Sequence, residues 1–185
     1  MDETPKDEID RLALLAHAGA EQAADALAQL VGHAVVAEAP IVTSGEDAQP
    51  ERAADARGGL DATGVFFEFG GCLEAIVGIL FPGDSSDRLV RRIVGIEEGE
   101  LESPIVESAL MEVGNILASH VASAIADRLA ARLLPSIPSL AMSDAERAFA
   151  AFAESSTGAD AARIESRLLD PDGRLIGRLL LSPRY

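Results

Sequence analysis

Glu112 and Asn115 lie three residues apart in the stretch SALMEVGNILASH, residues 108–120. Ser108 precedes the acid by four residues, and Ser119 follows the amide by four. On a helix these spacings put all four side chains on one face. A carboxylate only accepts hydrogen bonds, whereas an amide both donates and accepts. Such a face can hold polar groups brought to it by another molecule. The plainer alternative is a solvated face with an incidental glycine at 114. Glycine inside a helix costs about 1 kcal/mol against alanine. Close approach by another backbone is one reason to keep it, and clearance for a docking partner is the form expected here.

The helix that carries these residues is expected over 104–133, with Ser103 as its cap and Pro104 in its first turn. Leu110, Val113, Leu117 and Val121 form a separate apolar stripe suited to packing on a sheet. A strand is expected near 134–142, around Pro135 and Pro138, then a short helix at 144–153. Strands at 162–169 and 174–181 close the chain around the turn Asp170-Pro171-Asp172-Gly173.

The first half reads the same way. Residues 8–33 have helical spacing, with Leu12, Leu15, Gly19, Ala23, Ala26, Leu27, Leu30 and Val31 mostly on one stripe. A strand at 34–43 contains Pro40, which suggests an edge, an end or a bulge. Residues 44–61 read as a mobile loop. Strands at 62–69 and 73–81 are joined by Gly70-Gly71-Cys72, and Asp84-Ser85-Ser86 can cap a helix at 86–95 that Gly95 ends. Set against each other, Asp10–Pro40 and Ser108–Pro138 have equal length and matched prolines, and Ile76-Val77-Gly78 aligns with Leu175-Ile176-Gly177. The expectation is an α/β (α+β) fold in one domain, 1–185. It is a duplicated helix-strand-hairpin unit, with halves 1–100 and 101–185 sharing a mixed sheet under two long helices.

Composition narrows the function. The chain has 185 residues, 48% of them hydrophobic, but only 4% aromatic and no Trp. The core must therefore be built from Ala, Leu, Val and Ile. Asp and Glu number 31 against 15 Lys and Arg, a formal charge of −16, and Lys6 is the sole lysine. This speaks against nucleic-acid binding, which needs a basic face. The acids are spread along the chain, as in the acidic surfaces of salt-adapted proteins, although a basic partner is the alternative. Charges interrupt the apolar runs, so no membrane insertion is expected. The acidic opening MDETPKDEID does not resemble a signal peptide. A lone Cys72 and three scattered His give neither an internal disulfide nor metal-ligand spacing. A cytoplasmic protein is expected.

Ser108, Glu112, Asn115 and then, after 22 intervening residues, Pro138 match the signature of the CheC/CheX/FliY family. That pattern is Asp or Ser, three residues, Glu, two residues, Asn, 22 residues, Pro. The string Glu112-Val113-Gly114-Asn115-Ile116 also resembles the family's usual E-I-G-N-I. These are chemotaxis phosphatases that dephosphorylate the response regulator CheY, and CheC is itself a duplicated α/β fold that usually carries two motif copies. Here the first copy is Asp10, Leu14, His17 and Pro40, with the Glu and Asn replaced. Gly19-Ala20 still resembles the family's G-A after the motif. The resemblance thus implies one intact and one degenerate site. His17 could move protons near neutral pH, but it lacks the acid beside it. Family members often continue into a further helix after the last strand, whereas this sequence closes on Ser182-Pro183-Arg184-Tyr185, and no appended flagellar-switch domain is expected.

By that resemblance the reaction is hydrolysis of an aspartyl phosphate on a CheY-type receiver domain. Asn115 would orient the attacking water, Glu112 would bind the receiver's active-site lysine, and Ser108 and Pro138 would support them. No cofactor of this chain's own is implied, because the Mg²⁺ belongs to the receiver. The competing expectation is an adaptor of negligible phosphatase rate that binds CheD, a receptor deamidase, or the phosphorylated receiver.

Overall fold

The computed structural model describes residues 5–43, 62–157 and 162–184. The loop expected at 44–61 lies outside the described residues. Two helices of equal length dominate: α1 (Pro5–Val31) and α3 (Ser103–Leu129), each 27 residues. Their buried stripes are those the spacing predicts, Leu12, Leu15 and Leu27 on α1 and Leu110, Val113, Leu117 and Val121 on α3. Two shorter helices, α2 (Gly83–Val94) and α4 (Ala145–Thr157), are the others among the described residues.

Among the described residues eight strands form one sheet: β1 (Val36–Ala37), β2 (Ile41–Thr43), β3 (Ala62–Gly71), β4 (Ala75–Pro82), β5 (Leu133–Pro135), β6 (Ser139–Ala141), β7 (Arg163–Leu169) and β8 (Leu175–Pro183). The order is β1-β7-β8-β4-β3-β5, with β2 also on β7 and β6 also on β3. Every pairing is antiparallel, so the shared sheet is antiparallel rather than mixed. Each half contributes a hairpin to the centre, and its short edge strands cross to the hairpin of the other half. Crossing needs no parallel return, which is why no parallel pair arises.

The central pairing joins β4 to β8. Ile79 pairs with Leu179 and Leu80 with Arg178. Moving Ile76–Gly78 onto Leu175–Gly177 converts each of these pairs into the other, so the register is unchanged when the halves are exchanged. The edges agree as well. The Glu38 amide donates to the Arg167 carbonyl, and the Ser136 amide donates to the Glu68 carbonyl, both at 2.8 Å. The two predicted prolyl strands are each broken in two, β1/β2 around Pro40 and β5/β6 around Pro138, because proline cannot continue a ladder.

Both faces of the sheet are covered. Val65, Phe67, Phe69, Val77, Ile79 and Phe81 meet α1 and α3. Phe66, Ile76, Leu80 and Leu180 meet α4 through Ala145, Phe149 and Ala153. Two-sided burial explains why β3, β4 and β8 read as near-continuous apolar runs instead of alternating ones. It also explains α3, which by length and composition is apolar enough to cross a membrane, contrary to the reading of interrupted runs. Half of its most apolar window is buried against the rest of the chain. It is a core helix.

Helix ends depart from expectation. Glu102, not Ser103, is the N-cap of α3, and no side chain caps it. Pro104 does sit in the first turn. The helix ends at Leu129, four residues before 133, with Ala130 as its C-cap in the left-handed region at φ 48°, because Leu133 already pairs with Gly71. On α2, Pro82 takes the cap position and the expected Asp84-Ser85-Ser86 cap is already helical. Ser86 bonds back to the Gly83 carbonyl, and Ser85 donates to Leu175. Gly95 ends α2 as predicted, at φ 70°. In the turn before β8, the Asp170 carboxylate accepts from the amides of Asp172 and Arg174.

Under α4 lies a cluster that sequence reading missed. Glu146, Arg163, Glu165 and Arg178 are all buried. The Glu146 carboxylate accepts from Arg163 and, at 2.5 Å, from Arg178. Arg163 also reaches Glu165 at 3.3 Å and stacks 5.8 Å over the Phe149 ring. Burial by itself raises the Glu146 pKa. The charges of Arg163 and Arg178, with their hydrogen bonds, outweigh it and hold the group below its usual 4.5.

A carboxyl lowered on folding contributes stability that is present above its unfolded value and is lost as pH falls through the folded one. The resistance of the wild type to urea is expected to fall on acidification below about pH 4.5, the ordinary carboxyl range. Glu146→Gln should cost up to about 3–5 kcal/mol near neutrality, because two buried cations lose the carboxylate they share most closely and keep only Glu165. It should also show a shallower acid fall than the wild type. Equal slopes would exclude this group from the acid transition.

Candidate functional site

Ser108, Glu112, Asn115 and Ser119 are all exposed, while Leu110, Val113, Leu117 and Val121 are buried on the same helix. The sequence-predicted row is thus a solvent-facing ridge of α3 whose opposite side is core. Among the described residues Ser108, Glu112 and Asn115 have no hydrogen-bonding or ionic partner. Their polar atoms are available to another molecule.

Gly114 does something other than expected. It is buried, and a Cβ built on it would come within 2.7 Å of Val65 Cγ1 on β3. The glycine is therefore clearance for this chain's own sheet, not for a docking partner. It lets α3 settle onto β3 directly beneath the motif. Val65 is β-branched and stiff, so it yields little. Gly19 plays the matching part on α1, where a Cβ would lie 2.8 Å from Val121 Cγ1 of α3.

Pro138 is not on the ridge. It lies half-buried between β5 and β6 at one edge of the sheet. Ser136 holds the break: its hydroxyl accepts from the Glu68 amide and donates to the Ile137 carbonyl, both at 2.9 Å. Just beyond, Leu140 pairs with Val65, the residue under Gly114. Proline and motif helix thus converge on the same stretch of β3 from two directions.

The first motif copy occupies the equivalent place on α1. Asp10 is exposed and Leu14, in the acid's position, is 66% exposed. His17 stands where the amide would be, with Nε2 3.8 Å from Glu21. Its Nδ1 is buried without a hydrogen bond. Pro40 sits between β1 and β2 at the other sheet edge. This face holds no acid-amide pair. No group of three or more His, Cys, Asp or Glu among the described residues is arranged to hold a metal ion.

The profile of the CheC-like family matches residues 105–140, the span that contains Ser108, Glu112, Asn115 and Pro138. A curated relative, the CheY-P phosphatase CheC of Bacillus subtilis, is 27% identical over 143 residues, covering 74% of this chain and 67% of the relative. FliY of Thermotoga maritima has a similar structure, with a TM-score of 0.68 at 15% identity, covering 98% of this chain and 91% of that one. Over residues 105–140 the chain is similar to the CheC-like family. A further neighbour, at TM-score 0.60 and 13% identity, is the CheX-CheY-BeF3-Mg complex of Borrelia burgdorferi, with 91% of this chain and 96% of that chain covered. These structural likenesses are far below the identity that transfers chemistry, and they establish the fold alone. The profile, in contrast, falls on the half that retains the acid-amide pair.

The seat of α3 is testable by a double-mutant cycle. Gly114→Ala should destabilise the wild type, since overpacking costs about 1–3 kcal/mol and outweighs the roughly 1 kcal/mol helix gain. In a Val65→Ala background the same change should become neutral or stabilising. Chemical denaturation of the four proteins reads the sign. A stabilising Gly114→Ala in both backgrounds would rule out the proposed contact.

Proposed function

We propose that this CheC-like protein hydrolyses the aspartyl phosphate of a CheY-type receiver domain, with α3 as the element that enters the receiver's site. The observation that carries the reading is the exposed Glu112–Asn115 pair. It has no partner within the described chain, and it lies inside the segment that matches the family profile. The name of the Bacillus subtilis relative and the receiver in the Borrelia burgdorferi complex support the substrate class.

An acyl phosphate is already reactive, so the chain needs no nucleophile of its own. Water oxygen attacks phosphorus, the bond from phosphorus to the receiver's carboxyl oxygen breaks, and inorganic phosphate and the free aspartate leave. Such transfer depends mainly on positioning and charge neutralisation. The charge is met by the receiver's Mg²⁺ and lysine. Asn115 accepts a hydrogen bond from the water through its carbonyl oxygen and can donate to a phosphoryl oxygen through its amide, which fixes the line of attack. Glu112 takes the receiver's lysine in a charge-assisted hydrogen bond and sets the docking register. The rigid seat of α3 on β3 keeps both side chains in place during the encounter.

The replaced first motif favours a second reading. With Leu14 and His17 in place of the acid and amide, α1 can contribute contact without chemistry. A protein with one such face could act as an adaptor for the phosphorylated receiver or for CheD.

The deciding measurement is phosphate release from a phosphorylated CheY-type receiver, with and without this protein, in high KCl. The wild type should accelerate release. Asn115→Ala should lose about 100-fold of that acceleration while still binding the receiver. Glu112→Ala should weaken binding about tenfold or more and lower the rate as well. Binding without any acceleration would favour the adaptor.

A further inference from the structure

We propose that the cleft between the end of α1 and one side of α2 binds a small organic anion, with Arg88 and Arg92 on its charged head and an apolar floor under its body. None of the lining residues lies on the α3 ridge, so the site stands apart from the phosphatase reading.

The cleft holds about 210 Å³. Ser85, Arg88, Leu89 and Arg92 line it from α2, and their i, i+3, i+4, i+7 spacing puts them on one side of that helix. A stripe at this spacing is ordinarily apolar, but here two of the four members are cations. Val31 and His33 contribute from the end of α1, and Ile176 from β8. Leu89 and Ile176 are buried and make the apolar floor. The walls are pinned. Ser85 donates to the Leu175 carbonyl at 3.0 Å, which ties the first turn of α2 to β8. His33 is held by Nδ1, 3.1 Å from the Ala34 carbonyl. The volume is below the roughly 300–1,000 Å³ of drug-sized sites and suits a ligand of about ten non-hydrogen atoms.

Charge makes the stronger case. The chain carries a formal −16, yet among the described residues no acid lines the cleft. Along α2, cations pair with acids four residues earlier: Arg88 with Asp84 at 3.0 Å and Arg91 with Asp87 at 2.8 Å. Four residues before Arg92 stands Arg88, so the same pairing is closed to Arg92. Among the described residues Arg92 has no hydrogen-bonding or ionic partner. Its guanidinium lies against Gly32, where a Cβ would come within 2.6 Å of Nη2. There it offsets the negative end of α1, which has no basic residue in its last turn. That placement uses its charge but leaves its N–H donors open. Like charges four residues apart on a helix repel, and an oxyanion between them removes the repulsion. The Arg88–Asp84 pair is exposed on both sides, so it is weak and yields to a ligand. Guanidinium groups meet carboxylate or phosphate oxygens in pairs of parallel hydrogen bonds, which makes either group a fitting head.

The probes are phenyl phosphate and benzoate, with inorganic phosphate and phenol as controls for head and body. Each is titrated into the full chain at about 0.1 M salt, where charges act over about 10 Å, and binding is read from amide and arginine side-chain NMR shifts. At least one of the two probes should shift His33, Leu89 and Arg92 together, with a single Kd on the order of 1 mM. The tighter of the two names the head group. Inorganic phosphate and phenol should each bind about tenfold more weakly or worse, because each lacks one half of the contact. Arg92→Gln and Arg88→Gln keep the side-chain stems, and each should weaken the tighter probe about tenfold while amide shifts outside the cleft stay as in the wild type. No saturable shift at these residues up to about 20 mM of either probe overturns the site. A wild-type Kd in both variants overturns it as well. Phenol or inorganic phosphate binding as tightly as the better probe overturns the organic anion as its ligand.

Discussion

The contact between Gly114 and Val65 is the constraint on which the site depends. A helix that carries an acid and an amide on its outer face must still be fixed along its axis and around it. Here the missing Cβ lets α3 sink onto β3 at the level of the motif. The apolar stripe from Leu110 to Val121 then fixes the rotation, because turning the helix would expose that stripe to water. Glu112 and Asn115 point outward as a consequence of what is buried behind them. Gly19 against Val121 ties α1 to the same arrangement.

The sheet beneath is held from both sides and by both halves. Edge strands of each half pair with the hairpin of the other, so neither half has a complete sheet alone. On the face away from the site, α4 is seated by two further glycines. A Cβ at Gly64 would come within 2.9 Å of the Ala145 Cβ, and one at Gly78 within 2.5 Å of Phe149 Cδ2. Next to these lies the buried cluster of Glu146 with Arg163 and Arg178. Its place beneath α4, against β7 and β8, ties this helix to the second hairpin and not to the site. Buried ion groups are weak sources of net stability but costly to break.

Much of this was legible in the residues. Helical periodicity located both long helices and their buried stripes. The order of elements and the alignment of Ile76–Gly78 with Leu175–Gly177 pointed to a duplication, and the β4–β8 register is consistent with it. The Glu-x-x-Asn spacing with its distant proline marked the candidate row. Other features were not legible, for identifiable reasons. Antiparallel pairing at the edges depends on strands crossing between halves, and local pattern says nothing of partners. The cluster of Glu146, Arg163, Glu165 and Arg178 brings α4, β7 and β8 together, so no spacing announces it. Helix ends moved because tertiary pairing competed with local caps, as when Leu133 left α3 to join Gly71.

By itself, the sequence determined which side chains share a face, because helical spacing is a local property. It therefore settled that Ser108, Glu112 and Asn115 form one row, and that the aligned positions on the first helix hold Leu14 and His17. Only the tertiary structure decided which way that row faces and what Gly114 is for. A glycine reads the same whether the space it leaves is meant for a visitor or for the chain's own strand. Val65 lies far from it in sequence, and only folding brings the two to a distance where a single methyl group would not fit.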